Sequence, residues 1–523
     1  MIRKTVFSLV VLAASISCTA PNELVYPWAP LAQSEMASQR TTARAIEKPI
    51  TEDEARHLLR RTGFGIATPA EVVALVSNGS LDYEGAVDAL LDGMRTKPSS
   101  PLLGWFDEKP QRGRDVRELP IADQEAYKNL WLKRRRTVRH WWLGEMLTTP
   151  SPLTERMTLF WHGHFTSSVN KVKYATLMYE QNALFRREAI GNFARLLRAV
   201  SKGPAMLIYL DNRDNKAGHP NENFARELLE LFTLGEGQSY TERDIREAAR
   251  ALTGWRVDIA RAAFDMNQKV HDDGTKTFLG ETGRFDGDDI VGIVLKQRRT
   301  ADYITERLWR AFVDDAPDRS EVARLADNFR RSGYEIRPLL KGLLMTPRFR
   351  AAANRGLLVK SPIDLGVGTY RLIGAAPDNM KRFEGALRRM GQDVFNPPNV
   401  KGWPGGKSWI NSTTLSLRQQ FLRKVWRDAR RAARDDTMAP PTATAMMAAG
   451  GDDMMNPAMT PAMKPRVAGS GRSLYASLGR MRGAPEVLDD VMLAVPAIAT
   501  ANLERRPDRR LLQLLQDPAF QLK

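Results

Sequence analysis

From Thr51 onward, apolar residues recur at helical spacing between short polar interruptions, and this pattern predicts a succession of helices. Thr51-Glu52-Asp53-Glu54 reads as a capping box, and Ala55, Leu58 and Leu59 follow on one face. Thr68-Pro69 starts a second helix over Ala70 to Ser77, which Asn78-Gly79 stops. Ser151-Pro152 starts a third through Met157 and Phe160 to His162, where Gly163 is expected as a left-handed stop. Thr241 caps a fourth, with Asp244 at its third position and Ile245, Ala248, Ala249 and Leu252 on one side. Residues 220–234 fit one further helix capped near Asn221. At about 100° per residue, Phe224, Ala225, Leu228, Leu229, Leu231 and Phe232 cover one arc of it.

One interval breaks this rhythm. Trp255 to Phe285 is poor in helix formers and carries two β-like pieces, Trp255-Arg256-Val257 and Lys276-Thr277-Phe278-Leu279, with an Asp-Asp-Gly turn between them. Helices resume at Gly287 and continue to about Leu372. No repeat of solenoid length stands out. The fold class expected is all-α: a large multi-helix domain with a minor β-hairpin or loop insertion around 255–285.

The two ends differ from this body. Arg3 and Lys4 precede an apolar run from Val6 to Ile16, too short to span a bilayer, which reads as an export signal. The run closes on Ser15-Ile16-Ser17-Cys18, and small residues before the chain's sole cysteine resemble the lipobox of bacterial lipoproteins. Acylation of Cys18 would leave the protein lipid-anchored in the periplasm or outer membrane; cleavage near Ala20 is the alternative. The organisation expected is a signal peptide over 1–18, a tether over 19–48 and the main domain over 49–434. A Met/Ala/Pro-rich linker over 435–472 and a short helical segment over 473–523, packing on the main domain, complete it.

Charge changes the list of partners. The net charge is +17, with basic runs at Lys133-Arg134-Arg135-Arg136 and from Arg423 to Arg434. In a cytoplasmic protein this would point to nucleic acid; in an exported one, an anionic envelope surface is the better partner and nucleic acid is not expected. Solvated helix faces are the plainer alternative.

Four of the six histidines fall between Trp161 and His271, beside carboxylates and amides. A stop at Gly163 would let His162 and His164 face one cavity, walled by Trp161 and Phe165. Asn223, Glu227 and Glu230 line up at i, i+4 and i+7, while Glu222 pairs with Arg226. Two imidazoles with carboxylates suit a divalent metal: zinc, iron or manganese. His162, His164, Glu227, His271 and Asp272 are the candidate ligands, Glu230 the general base and Asn223 the residue that positions substrate. The alternatives are core histidines bonded to carbonyls and a salt-bridged stripe. His57 and His140, in helical contexts, are expected to be structural. Neither a nucleophile elbow nor a phosphate-cradling loop is present.

Taken together, several blocks resemble a bacterial exported family, domain of unknown function 1800. They are His57-Leu58-Leu59-Arg60-Arg61-Thr62-Gly63-Phe64-Gly65, Phe160-Trp161-His162-Gly163-His164-Phe165, and Pro220 to Leu231 with Tyr240-Thr241-Glu242. Leu252-Thr253-Gly254-Trp255, His271-Asp272, Lys360-Ser361-Pro362 and Pro397 to Pro404 complete them. The resemblance covers about residues 50 to 425 and implies an exported helical protein without an established activity. It also implies a partner in another exported family, domain of unknown function 1501. Gly163 stands where many members carry Asn, and Phe232 where many carry His, so residue 232 is no ligand here. Two functions follow as expectations. One is a metal-dependent hydrolase or oxidase acting on an envelope or extracellular substrate; the other is a non-catalytic scaffold or maturation factor for an exported partner.

Overall fold

The computed structural model describes residues 48–76, 81–438, 486–498 and 507–523, and within them the architecture is all-α. The expected capping boxes form at Thr51 and Thr241, each side chain accepting the third residue's N–H while that residue's carboxylate returns to the cap. The helix begun by Thr68-Pro69 runs Pro69–Val76; its expected stop at Asn78-Gly79 lies outside the described residues. The export signal, Cys18, the tether and the 439–472 part of the expected linker also lie outside them. Among the described residues, no helix is long and apolar enough to cross a membrane.

The β excursion is two hairpins, not one. Trp255–Asp258 pairs antiparallel with Ala263–Met266, and Lys276–Phe278 pairs antiparallel with Glu281–Gly283. The two β-like pieces read from the sequence therefore do not pair with each other: each finds its own partner strand within eight residues or so, the shorter and cheaper closure.

The core is cross-linked by buried arginines. Helix C-termini leave carbonyls without partners, and a guanidinium reaches several at once. Arg61 donates to the carbonyls of Phe312 and Val313 at the end of the Arg298–Phe312 helix, and to the side chain of Asn354. Arg371 donates to Leu147 and Thr149, closing the Ile121–Thr148 helix, and pairs with Glu71. Arg418 reaches the carbonyl of Lys360, whose side-chain amine in turn donates to the carbonyl of Phe520. Residues 507–523 are thus held to the body by side-chain hydrogen bonds as well as by buried Leu511, Leu514, Leu515 and Phe520. His57 and His140 are structural as expected, the first on the Phe349 carbonyl at 2.9 Å and the second on Glu384 at 2.8 Å.

The most enclosed of these links is the Glu155–Arg186 pair, 1% and 0% exposed, which ties the Pro152–His164 and Ala175–Arg187 helices together. Both carboxylate oxygens accept from the guanidinium, at 2.6 and 2.8 Å, and the Trp142 indole adds a third donor at 2.7 Å. Glu155→Ala is therefore expected to cost about 3–5 kcal/mol, because it strands a buried guanidinium. Urea unfolding followed by tryptophan fluorescence checks this; a loss under about 1 kcal/mol would contradict it.

Candidate functional site

The Pro152–His164 helix continues through Gly163, which has no left-handed conformation. His162 and His164 therefore diverge by about 200° and do not share a cavity, contrary to expectation. The His162 ring lies among Trp142, Phe395 and Trp403, at centroid distances of 5.4–5.5 Å, and burial pushes its pKa down to about 3. His164 lies among Trp161, Phe165 and Phe232 on the other side. Burial, then the charge of Arg307, holds it well below the ordinary histidine value, so it is neutral.

What His164 does is set by the next segment. Asn221 accepts the N–H of Asn223 from one residue before the N-cap, which is Glu222; regular α-helix covers only Asn223–Glu227, and Leu228–Thr233 widens into a π-helical turn. The N–H of Leu234 reaches back five residues to Leu229 at 2.8 Å, and the Thr233 hydroxyl takes the Leu228 carbonyl at 2.6 Å. Such turns leave carbonyls unpaired, and three side chains collect them. The Tyr303 hydroxyl donates to Leu231 at 3.1 Å, His164 Nε2 to Phe232 at 3.1 Å, and Arg299 Nε to Leu234 at 2.9 Å. A carbonyl only accepts, so His164 carries its proton on Nε2, and its Nδ1 is left buried without a partner.

The wider turn carries residues past Leu228 off the 3.6-residue register, and it places Glu227 on a shelf of like charge. Glu227 is 9% exposed and makes no hydrogen bond or ion pair among the described residues. Burial, then the negative charges of Glu230 and Glu236, raise its carboxyl to about 7 against the pull of Lys401 and Arg226. Arg226 is engaged elsewhere, with Glu222 as expected and also with Glu230 and Glu242. Lys401 pairs with Glu236 at 2.7 Å.

Lys401 belongs to the turn segment 396–406, which joins this shelf to a pocket. Gly402 has φ +84°, and a Cβ there would stand 2.4 Å from the carbonyl of Gly163, so only glycine lets the turn lie on the helix. Trp403, two residues and at most about 7 Å of chain beyond Lys401, leans over Gly163 into a pocket of about 440 Å³. Phe160, Trp403 and Trp409 form apolar wall, and Arg156, Arg307, Arg310, Asp364 and Lys523 bring charge. Burial pushes the Asp364 carboxyl up, but Arg156 at 2.7 Å, Lys523 at 2.6 Å and the Ser361 N–H outweigh it and hold the group well below the carboxylate range. Arg307 makes no hydrogen bond or ion pair among the described residues.

The remaining expected site residues do not join this shelf. Asp272 is taken by Arg250 in a two-pronged pair at 2.8 and 3.1 Å, which lowers its pKa. His271 Nδ1 donates to the Thr253 carbonyl at 2.8 Å. Asn223 spends its amide on the Leu210 carbonyl at 3.1 Å, and His219 is exposed. Among the described residues no three His, Cys, Asp or Glu side chains gather closely enough to hold a metal ion. Three participants were missed in the sequence: Glu236, Arg307 and Asp364. Glu236 had a signal, since Gly235-Glu236-Gly237 is a turn that presents one carboxylate. The other two sit in ordinary helical patterns and carried none.

Residues 57–522 match a family model described as a protein of unknown function, DUF1800. No curated protein and no solved structure matches the chain.

Glu227 makes stability depend on pH. Its folded value, about 7, lies above the ordinary 4.5, so the stability it contributes is present below about 4.5 and is lost as pH rises through about 7. Discounted for partial solvent screening, the loss is on the order of 1–2 kcal/mol. Glu227→Gln, which cannot ionise, is expected to gain that much on wild type between pH 5 and pH 8 in urea unfolding. A difference that stays flat with pH would contradict the assignment.

Proposed function

The chain belongs to the DUF1800 family of proteins of unknown function, and we propose that this member is an exported hydrolase of an envelope or extracellular polymer, with Glu227 as its acid–base group. The observation that carries this reading is the Glu227 carboxyl, without a hydrogen-bond partner among the described residues and raised to about 7 by burial and then by Glu230 and Glu236. A group half-protonated at working pH both gives a proton to a leaving-group oxygen and takes one from attacking water. Glu230 beside it supplies a second carboxylate, as cleavage of a glycosidic linkage requires. The pocket beyond Trp403 offers aromatic wall and the cation Arg307, unpaired among the described residues, for a polymer unit next to the scission point. Export, and anchoring through Cys18, rest on the pattern of the first eighteen residues.

Of the expected ligands, Asp272 is held by Arg250 and His164 Nε2 by the bulge, so a divalent metal enters this proposal through Glu227. The rival reading, a scaffold for another exported protein such as a member of domain of unknown function 1501, draws support from one observation. Both imidazoles of the Phe160–Phe165 block serve the core.

The test incubates purified protein at pH 7 with peptidoglycan and with neutral and acidic polysaccharides, and measures release of soluble fragments. Wild type is expected to release fragments from at least one polymer, with Glu227→Gln folded but slower by about 100-fold or more. Equal release by the variant, or none by wild type, would sink the proposal and leave the scaffold reading. Elemental analysis of the same two proteins shows whether an ion is held by Glu227.

A further inference from the structure

The two basic runs of the sequence, nearly three hundred residues apart, flank a single groove. It has a volume of about 850 Å³ and lies between the Ile121–Thr148, Met380–Arg389 and Ser412–Met438 helices. Arg136 comes from the first run and Lys424 and Arg427 from the second, and the Met380–Arg389 helix between them adds Lys381, Arg382, Arg388 and Arg389. The acidic residues of the groove are already spent: Glu384 holds His140 and lies 3.4 Å from Arg139, and Asp378 lies 3.6 Å from Lys424. Arg136, Lys381, Arg382, Arg388, Arg389 and Arg427 make no ion pair among the described residues. Like charges gathered in one concavity repel one another, so the folded chain bears a cost that an anionic occupant would offset.

The lining narrows the occupant. Its aromatic rings, Tyr370, Phe383 and Phe421, are 3–7% exposed, so they offer no face on which a nucleic-acid base could stack. A groove that is concave admits a chain between its walls, whereas a bilayer surface would meet only its rims. Arginine forks match carboxylate geometry in two-pronged pairs. We propose that this groove binds an acidic polysaccharide chain through its carboxylates. The proposal stands apart from the Glu227 reading, since none of these residues belongs to the shelf or the pocket.

The test measures binding of polygalacturonate to the full mature chain by biolayer interferometry across a salt series. Neutral dextran, phosphatidylglycerol vesicles and single-stranded DNA are the comparison probes. Two charge-matched variants are compared with wild type: Arg382→Glu/Arg389→Glu in the groove, and Arg243→Glu/Arg319→Glu on exposed helix starts elsewhere. All four positions are exposed, so both variants are expected to keep the wild-type melting temperature. The proposal expects polygalacturonate to bind, dextran not to, and the groove variant alone to lose about tenfold or more with a shallower salt dependence. Equal losses in both variants, no binding of polygalacturonate, or equal or tighter binding of vesicles or DNA would overturn it. Fragment release by the Glu227 site is measured separately, so either proposal can fail while the other stands.

Discussion

The π-helical turn at Leu228–Thr233 is the constraint on which the rest of the site depends. A turn of that width breaks the ordinary backbone pairing, and three carbonyls must find partners in a dry interior. His164, Tyr303 and Arg299 supply them from two other helices. The bulge is thereby part of the core's hydrogen-bond accounting, and Glu227 at its start inherits a fixed place. Its neighbours are then carboxylates it cannot avoid and cations that are engaged elsewhere. Such turns are frequent at functional positions, and a carboxyl lifted to neutrality at the mouth of one is a physical reason to look for chemistry there.

The second dependency is mechanical. The 396–406 segment rests on the Pro152–His164 helix only because residue 402 has no side chain, and that seating puts Lys401 on the acidic shelf and Trp403 in the pocket. Asn396 is tied to Ser168 at 2.6 Å, and the Phe395 carbonyl accepts the N–H of Val169 at 2.8 Å, so the segment is anchored before it crosses the helix. A chain with no second cysteine cannot hold distant segments by disulfides. Buried arginines link elements far apart in sequence instead, Arg61 and Arg371 through carbonyls at helix ends and Arg418 through the loop carbonyl of Lys360.

The helical body was legible from the chain because its signals are local. Thr51 with Glu54 and Thr241 with Asp244 are cap and return partner within one turn, and the apolar spacing behind them follows the 3.6-residue period. The blocks that carry the family resemblance were equally visible, and they do gather: Phe160 and Gly163, Ser361, and Trp403 and Pro404 meet in one pocket. What could not be read was decided by distant partners. Gly163 reads as a stop, yet the helix continues through it under Trp403, and those two further helical residues separate His162 from His164. Residues 228–233 follow a clean α-helical pattern, and the wide turn arises from donors on residues 164, 299 and 303. Asp272 read as a ligand because nothing in its neighbourhood announced Arg250. Arg307 and Asp364 lie in ordinary helical text, and their roles come from what the fold sets opposite them.

The titration of Glu227 itself, followed by carbon NMR of side-chain-labelled glutamate with Glu227→Gln to assign the signal, decides whether the shelf is an acid–base site. A resonance that titrates with a midpoint near 7 and is missing from the variant is expected. A Glu227 resonance titrating at about 4.5 would mean that the shelf is an ordinary solvated acidic surface, and the acid–base site would fall with it.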